Sequence, residues 1–161
     1  GTDDQISIPA SASLTFTAIT IIIWAQITAT PTLYDPFIWK FGDKWELYFP
    51  NAGALTTPSF YTVTTGGSRS LASSEALSLN TWYQIAATYS DAAGGVIYLN
   101  AVSKGTIASN GAMSDADGIV RIASDNARFL PSITGEALLY NRALTAAEIN
   151  YNYSVTKWRY V

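Results

Sequence analysis

Apolar residues in this chain fall in short runs separated by polar turns, a pattern that predicts strands far more than helices. Gln5-Ile6-Ser7-Ile8 alternates polar and apolar and is stopped by Pro9. Ala18 to Ile27, with Trp24 at its centre, is rich in β-branched residues and reads as a strand buried on both sides. Phe37 to Phe41 and Trp45 to Phe49 flank Gly42-Asp43-Lys44, which predicts a hairpin. Phe60 to Thr65, Trp82 to Tyr89, Val96 to Leu99, Gly118 to Ala123 and Glu136 to Tyr140 complete the predicted strands. Glycine pairs or Asp/Asn turns separate several of them. Asn51 to Ser59 is the longest excursion in the first half. The period changes only near the end. Thr145 and Glu148 have the spacing of a capping box, in which each side chain satisfies a free N–H at a helix start. At about ten residues that helix is too short to stand alone and is expected to cap one end of the fold.

This order predicts an all-β, two-sheet antiparallel sandwich with a short C-terminal helix, built as one domain over residues 1–161. Composition narrows its chemistry. The chain has no histidine and no cysteine, so His-based nucleophile systems, histidine-built metal sites and disulfides are excluded. The net charge is −3 with no basic run, which argues against nucleic acid as a partner. No segment approaches the ~20 apolar residues of a membrane-spanning helix, and none reads as membrane-inserted. Only 13% of residues are charged, which suits either a hydroxyl-rich β surface or a face covered by a neighbour. A chain that begins at Gly1, with Met113 its only methionine, reads as a piece excised or processed from a longer one.

Several segments, in order, resemble one family. Gly1 to Pro9 resembles the "G-x-D-D-y-i-x-i-P" opening of laminin-G-like, concanavalin A-like jelly rolls. Ile21 to Ala25 is similar to the family's "tisaWv" strand. Asn80 to Tyr89 is similar to "n-t-W-y-h-v-a-a-t-y", and Ile97-Tyr98-Leu99-Asn100 to "l-Y-l-N-G". Ala101 stands where that last glycine is usual, and Ala123 replaces the glycine of "i-G-s". Glu136 to Ile149 resembles the ending "E-v-l-i-Y-n-R-a-L-t-a-a-E-I". The further tail, Glu148 to Tyr160, resembles laminin-G-like domains of tailed-phage virion proteins.

The resemblance implies a jelly-roll sandwich that works by binding glycans, proteins or neighbours in an assembly. A virion structural or appendage protein, capsid-decorating or tail, is the leading expectation. Its partners would be other virion proteins or copies of itself, with a glycan or host-surface ligand, in a virion or extracellular setting. The alternative is a carbohydrate-binding module of a secreted bacterial protein, and a glucanase is the remote one. Glucanases on this fold place carboxylates as E-x-D-x-x-E on one strand, and no such triplet occurs here. No catalytic residue is therefore expected. No cofactor is required. A structural calcium is an expectation from the family, with Asp3, Asp4 and Glu136 as its ligands. Asp115-Ala116-Asp117-Gly118 and Asp125-Asn126 are a second and a third acidic loop for such an ion, each with the alternative of a plain turn, which Asp and Asn favour without any ion.

For sugar stacking, Trp39, Trp45, Tyr48 and Tyr61 are the candidates, around the Gly42 turn with Phe41. Trp39 shares parity with Phe37 and Phe41, a face expected to be the core side. Lys44, Glu46 and Tyr48 share the opposite one. Trp24 and Trp82 fall at family core positions. Trp158 and Tyr160 are left either to pack on the sandwich or to dock into a neighbour.

Overall fold

The computed structural model describes residues 4–32, 34–42, 44–50 and 57–161. The chain forms two antiparallel sheets, one face of each packed against the other. The six-stranded sheet has the order β1-β10-β3-β4-β5-β6, and the five-stranded sheet β11-β2-β7-β8-β9. The strands of the first are β1 Ile6–Ile8, β10 Val120–Ile122, β3 Pro36–Lys40, β4 Trp45–Tyr48, β5 Ser59–Thr64 and β6 Gly67–Ala72. Those of the second are β11 Ser132–Tyr140, β2 Ile19–Ile27, β7 Trp82–Ser90, β8 Gly94–Leu99 and β9 Val102–Ile107. Residues 51–56 of the expected long excursion, and Asp43 of the hairpin turn, lie outside the described residues.

Strand parity builds the core. On β2, Ile19, Ile21, Ile23, Ala25 and Ile27 face the six-stranded sheet, where Phe37, Ile38, Leu47, Phe49, Phe60 and Val120 meet them. A buried ion pair is set into this core. Lys40 and Asp115 have fully buried side chains 2.9 Å apart. The Lys40 ammonium also donates to the Leu14 carbonyl at 2.6 Å. The Asp115 carboxylate accepts from the backbone N–H of Phe16 and Ala116 and from the Trp45 indole. It joins the loops around residues 11–16 and 113–118 to β3 and β4.

Two edge strands, β6 and β9, are absent from the sequence expectation. Gly-Ser-Arg-Ser-Leu-Ala and Val-Ser-Lys-Gly-Thr-Ile are largely polar because each strand has only one paired edge and one face on the core. The β8–β9 hairpin turns on Asn100 and Ala101, at φ 49° and 64°, a type I′ geometry that favours Asn-Gly. Ala123 also sits at positive φ, 62°. Both positions where the family pattern has glycine thus carry alanine in a left-handed conformation.

The helix α1 spans Ala146–Thr156, and its capping box is formed as the spacing predicts. Its position differs from the expectation. Instead of closing one end of the sandwich, it lies across the outer face of the five-stranded sheet. Ile149 and Leu144 pack there on Ile22, Ala86 and Tyr98. Trp24 is buried on this outer face, not between the sheets, and its indole N–H donates to Thr156 Oγ1 at 2.9 Å. Tyr153 and Tyr160 stack on the Trp24 ring, and Tyr160 also meets Trp82. Of the two terminal aromatics, Tyr160 packs on the sandwich while Trp158 is 71% exposed.

Candidate functional site

With one sheet face covered by the tail, the outer face of the six-stranded sheet is the large surface that the described elements leave open. Register assigns its residues. Ser7 on β1 pairs with Arg121 on β10, Arg121 with Trp39 on β3, and Trp39 with Glu46 on β4. Glu46 pairs with Tyr61 on β5, and Tyr61 with Ser70 on β6. From Arg121 to Ser70 this row crosses about 19 Å, four strand spacings. Two residues further along β4, Tyr48 stands on the same face.

A bulge in β3 decides the arrangement. Pro36 pairs with Tyr48 but Ile38 with Leu47, so β3 carries one extra residue. Phe37 and Ile38 therefore both enter the core, and Trp39 is turned to the outside beside Glu46. The expected parity, with Trp39 on the core side with Phe37, fails at this bulge. Tyr48 and Glu46 share the open face as expected, and Trp39 joins them. Trp45 does not. It is fully buried between the sheets with its indole N–H on Asp115, so it has no ring face to offer a ligand.

The remaining candidates are layered. Trp39 is 8% exposed because the Arg121 guanidinium lies over its ring at 5.6 Å and Phe41 meets its edge. Tyr48 is 6% exposed under Tyr34, whose ring stacks on it at 6.0 Å. Burial pushes the Tyr48 phenol pKa up, partly opposed by its hydrogen bond with Ser70. Tyr61 is half-buried and shares a 2.9 Å hydrogen bond with Ser68. The outer layer is thus Tyr34, Phe41, Tyr61 and Arg121, of which Tyr34 is 45% and Phe41 60% exposed. Arg128 lies over Tyr34 and pairs with Asp125. Burial works to raise the Asp125 carboxyl pKa, but hydrogen bonds from Arg128 and from the Ala127 and Arg128 N–H groups outweigh it and hold it low.

Sequence reasoning did not single out Tyr34, Arg121 or Arg128. Tyr34 lies in an irregular segment between Pro31 and Pro36, without a period to interpret. Arg121 was legible, since it is the polar residue between Val120 and Ile122, which must face the core.

The expected metal ligands fall elsewhere. Asp3 lies outside the described residues, and Asp4 is exposed just before β1. Glu136 sits at a bulge of β11, 3.8 Å from Arg159, with its backbone N–H bonded to the Tyr160 hydroxyl. Among the described residues, no three carboxylates gather closely enough to hold a metal ion. The other glutamates are also scattered, with Glu75 on Lys104 and Glu148 on Arg142.

A cleft of about 830 Å³ opens between the edge strands β1 and β11, lined by Ile6, Phe129, Ile133 and several threonines. Its polar groups are partly spent on the chain itself. Thr28 Oγ1 donates to the Pro131 carbonyl, and the Asp35 carboxylate accepts from the Thr32 N–H and hydroxyl.

Comparison with known proteins gives the fold relatives. A pentraxin resembling SAP from Limulus polyphemus, a native heptamer, superposes with a TM-score of 0.64 at 15% identity, over 96% of this chain and 83% of that one. The receptor binding domain of botulinum neurotoxin mosaic serotype C/D gives a TM-score of 0.73 at 16% identity, covering 96% of this chain and 40% of that one. A botulinum neurotoxin type C structure, from work on cell entry through two ganglioside molecules, gives 0.70 at 11% identity over 94% and 39%. The chain thus spans well under half of these toxin domains. At such identities the likeness is one of fold. No curated protein sequence matches significantly. Residues 1–150 match the family described as the concanavalin A-like lectin/glucanases superfamily, laminin-G type. Together with the two antiparallel sheets, that match places this chain in the laminin-G-like branch of the concanavalin A-like superfamily.

Proposed function

We propose that this domain binds glycans without catalysis, on the open face of the six-stranded sheet, and that its parent is a virion structural or appendage protein which presents that face to a host surface. The observation that carries the reading is the concentration of aromatic rings on a sheet face that no described element covers. A solvated sheet face ordinarily alternates polar residues outward. Here Tyr34, Phe41 and Tyr61 stand outward above Trp39 and Tyr48. Such rings receive the apolar face of a pyranose, while Ser7, Ser70 and Glu46 in the same row suit its hydroxyls. The toxin neighbours lend support by analogy: one is described with two ganglioside molecules and another in complex with SialylT.

Hydrolysis is the weaker reading because it needs two carboxyls about 5–9.5 Å apart across a glycosidic bond. Glu46 stands in the aromatic row, while Glu75, Glu136 and Glu148 each face a cation elsewhere. A single shallow face binds weakly, and multivalent display on a particle would turn that into firm attachment. The virion setting draws on the tail resemblance. The same face would serve a carbohydrate-binding module of a secreted protein, and the parent gene separates these two settings.

A glycan array followed by titration of wild type, Tyr34→Ala and Phe41→Ala tests the reading. Binding should be lost or weakened at least about tenfold in both variants with melting temperature unchanged, and should persist in chelator. Absence of binding to any saccharide, or affinity unmoved by both substitutions, refutes it.

A further inference from the structure

We infer that the saccharide taken by this face is acidic, its carboxylate held by the Arg121 guanidinium. The inference rests on the glycan reading above and names the class of sugar.

Arg121 is the middle residue of β10, between Val120 and Ile122, which both belong to the core, so strand parity turns it outward. Its cross-strand neighbours are Ser7 and Trp39. The guanidinium rests over the Trp39 ring at 5.6 Å. Its Nε is buried and has no hydrogen-bond partner. A buried donor left without an acceptor is unfavourable, and because the side chain as a whole is only half-buried, the guanidinium can turn outward to meet an anion and relieve it.

The other arginines sharpen the point. Arg128, Arg142 and Arg159 each face a carboxylate, on Asp125, Glu148 and Glu136. Arg69 also has an unpartnered Nε, but it lies on the Leu71 side of β6, towards the core. Among the described residues, the outward arginine without a carboxylate is therefore the one in the aromatic row. This is a local feature, since the chain as a whole has a net charge of −3. Glu46 lies two strands away, about 10 Å by strand spacing, so it directs an anion towards the β10 end of the row. The planar guanidinium fork matches the two oxygens of a carboxylate, which a lysine ammonium does not. Sialic and uronic acids both carry that group on a pyranose.

The test is titration of the full chain, wild type, Arg121→Gln and Arg121→Lys, with lactose, sialyllactose and trigalacturonate. Lactose is the neutral probe, and the two acids distinguish the sources of the carboxylate. At least one acid should bind about tenfold more tightly than lactose, and the preference should shrink as salt is raised. Arg121→Gln should erase the preference, read as the ratio of acid to lactose affinity within each variant, and Arg121→Lys should restore little of it. Thermal melts establish that each variant is folded, and the lysine variant carries the test if the glutamine one is not. Equal affinity for lactose and both acids, or a preference that survives loss of the guanidinium, overturns the inference and leaves glycan binding standing. Binding of none of the three overturns the glycan reading itself.

Discussion

Asp115→Ala should be among the most destabilising single changes in this domain. The carboxylate accepts from the Lys40 ammonium, from the Phe16 and Ala116 N–H groups at 2.9 and 2.8 Å, and from the Trp45 indole at 3.2 Å. Both side chains of the ion pair are fully buried. Without Asp115 the ammonium retains the Leu14 carbonyl and the rings of Phe16 and Trp45, 5.7 and 5.9 Å away. Stranding a buried charge in this way costs about 3–5 kcal/mol. That is a large share of the roughly 5–15 kcal/mol that holds a domain folded. At about 2–4 °C per kcal/mol for a chain of this size, the melting temperature should fall by about 6–20 °C. Urea unfolding followed by tryptophan fluorescence measures the free-energy loss, and a thermal melt the temperature shift. The paired replacement Lys40→Met with Asp115→Asn should recover most of the loss, because it removes both charges, nearly keeps the volume and leaves an amide oxygen to accept from the Phe16 and Trp45 N–H groups. A loss under about 1 kcal/mol for Asp115→Ala, or a double variant no better than the single, refutes the reasoning.

Other consequences are directly measurable. Ala101→Gly should stabilise the protein by about 0.5 kcal/mol, because relief of a left-handed alanine, about 1–2 kcal/mol, exceeds the added chain entropy of glycine; an unchanged or lower urea midpoint speaks against that. Glu148 has a carboxyl pKa held near 2, against an ordinary 4.5, mainly by hydrogen bonds from Arg142 and the Thr145 backbone N–H. A depressed carboxyl pKa contributes stability that is full above about pH 4.5 and lost as pH falls through about 2. Near-UV circular dichroism should therefore show the tail loosening across that window, with a flatter profile in Glu148→Gln; parallel profiles would exclude this linkage. Tyr160→Ala should cost about 1–3 kcal/mol and open the tail to proteolysis, since its ring packs on Trp24 and Trp82. Protease resistance equal to wild type would mean that the helix holds without it.

Much of the architecture was legible in the residues. The β-branched and aromatic runs named β2, β7 and β8 as strands, and the Thr145–Glu148 spacing named the helix start, because both follow from neighbouring residues. The two alanines at glycine positions were visible as departures, though their left-handed geometry was not. The polar edge strands β6 and β9 escaped, since a strand that buries one face and pairs one edge has little apolar pattern.

The chain's sequence by itself determined its strand-and-turn order, its capped helix, its family and the absence of histidine and cysteine chemistry. Each of these is written in neighbouring residues. Only the tertiary structure decided which face carries the candidate site. One extra residue in β3 reverses the parity that local reasoning assigns, sending Phe37 and Ile38 inward and Trp39 outward. The tail then seals the five-stranded face over Trp24, leaving the aromatic and arginine row of the other sheet open. Both outcomes depend on which strands pair, in what register, and on which face the helix settles. Those are contacts between residues far apart in the chain, and no local pattern encodes them.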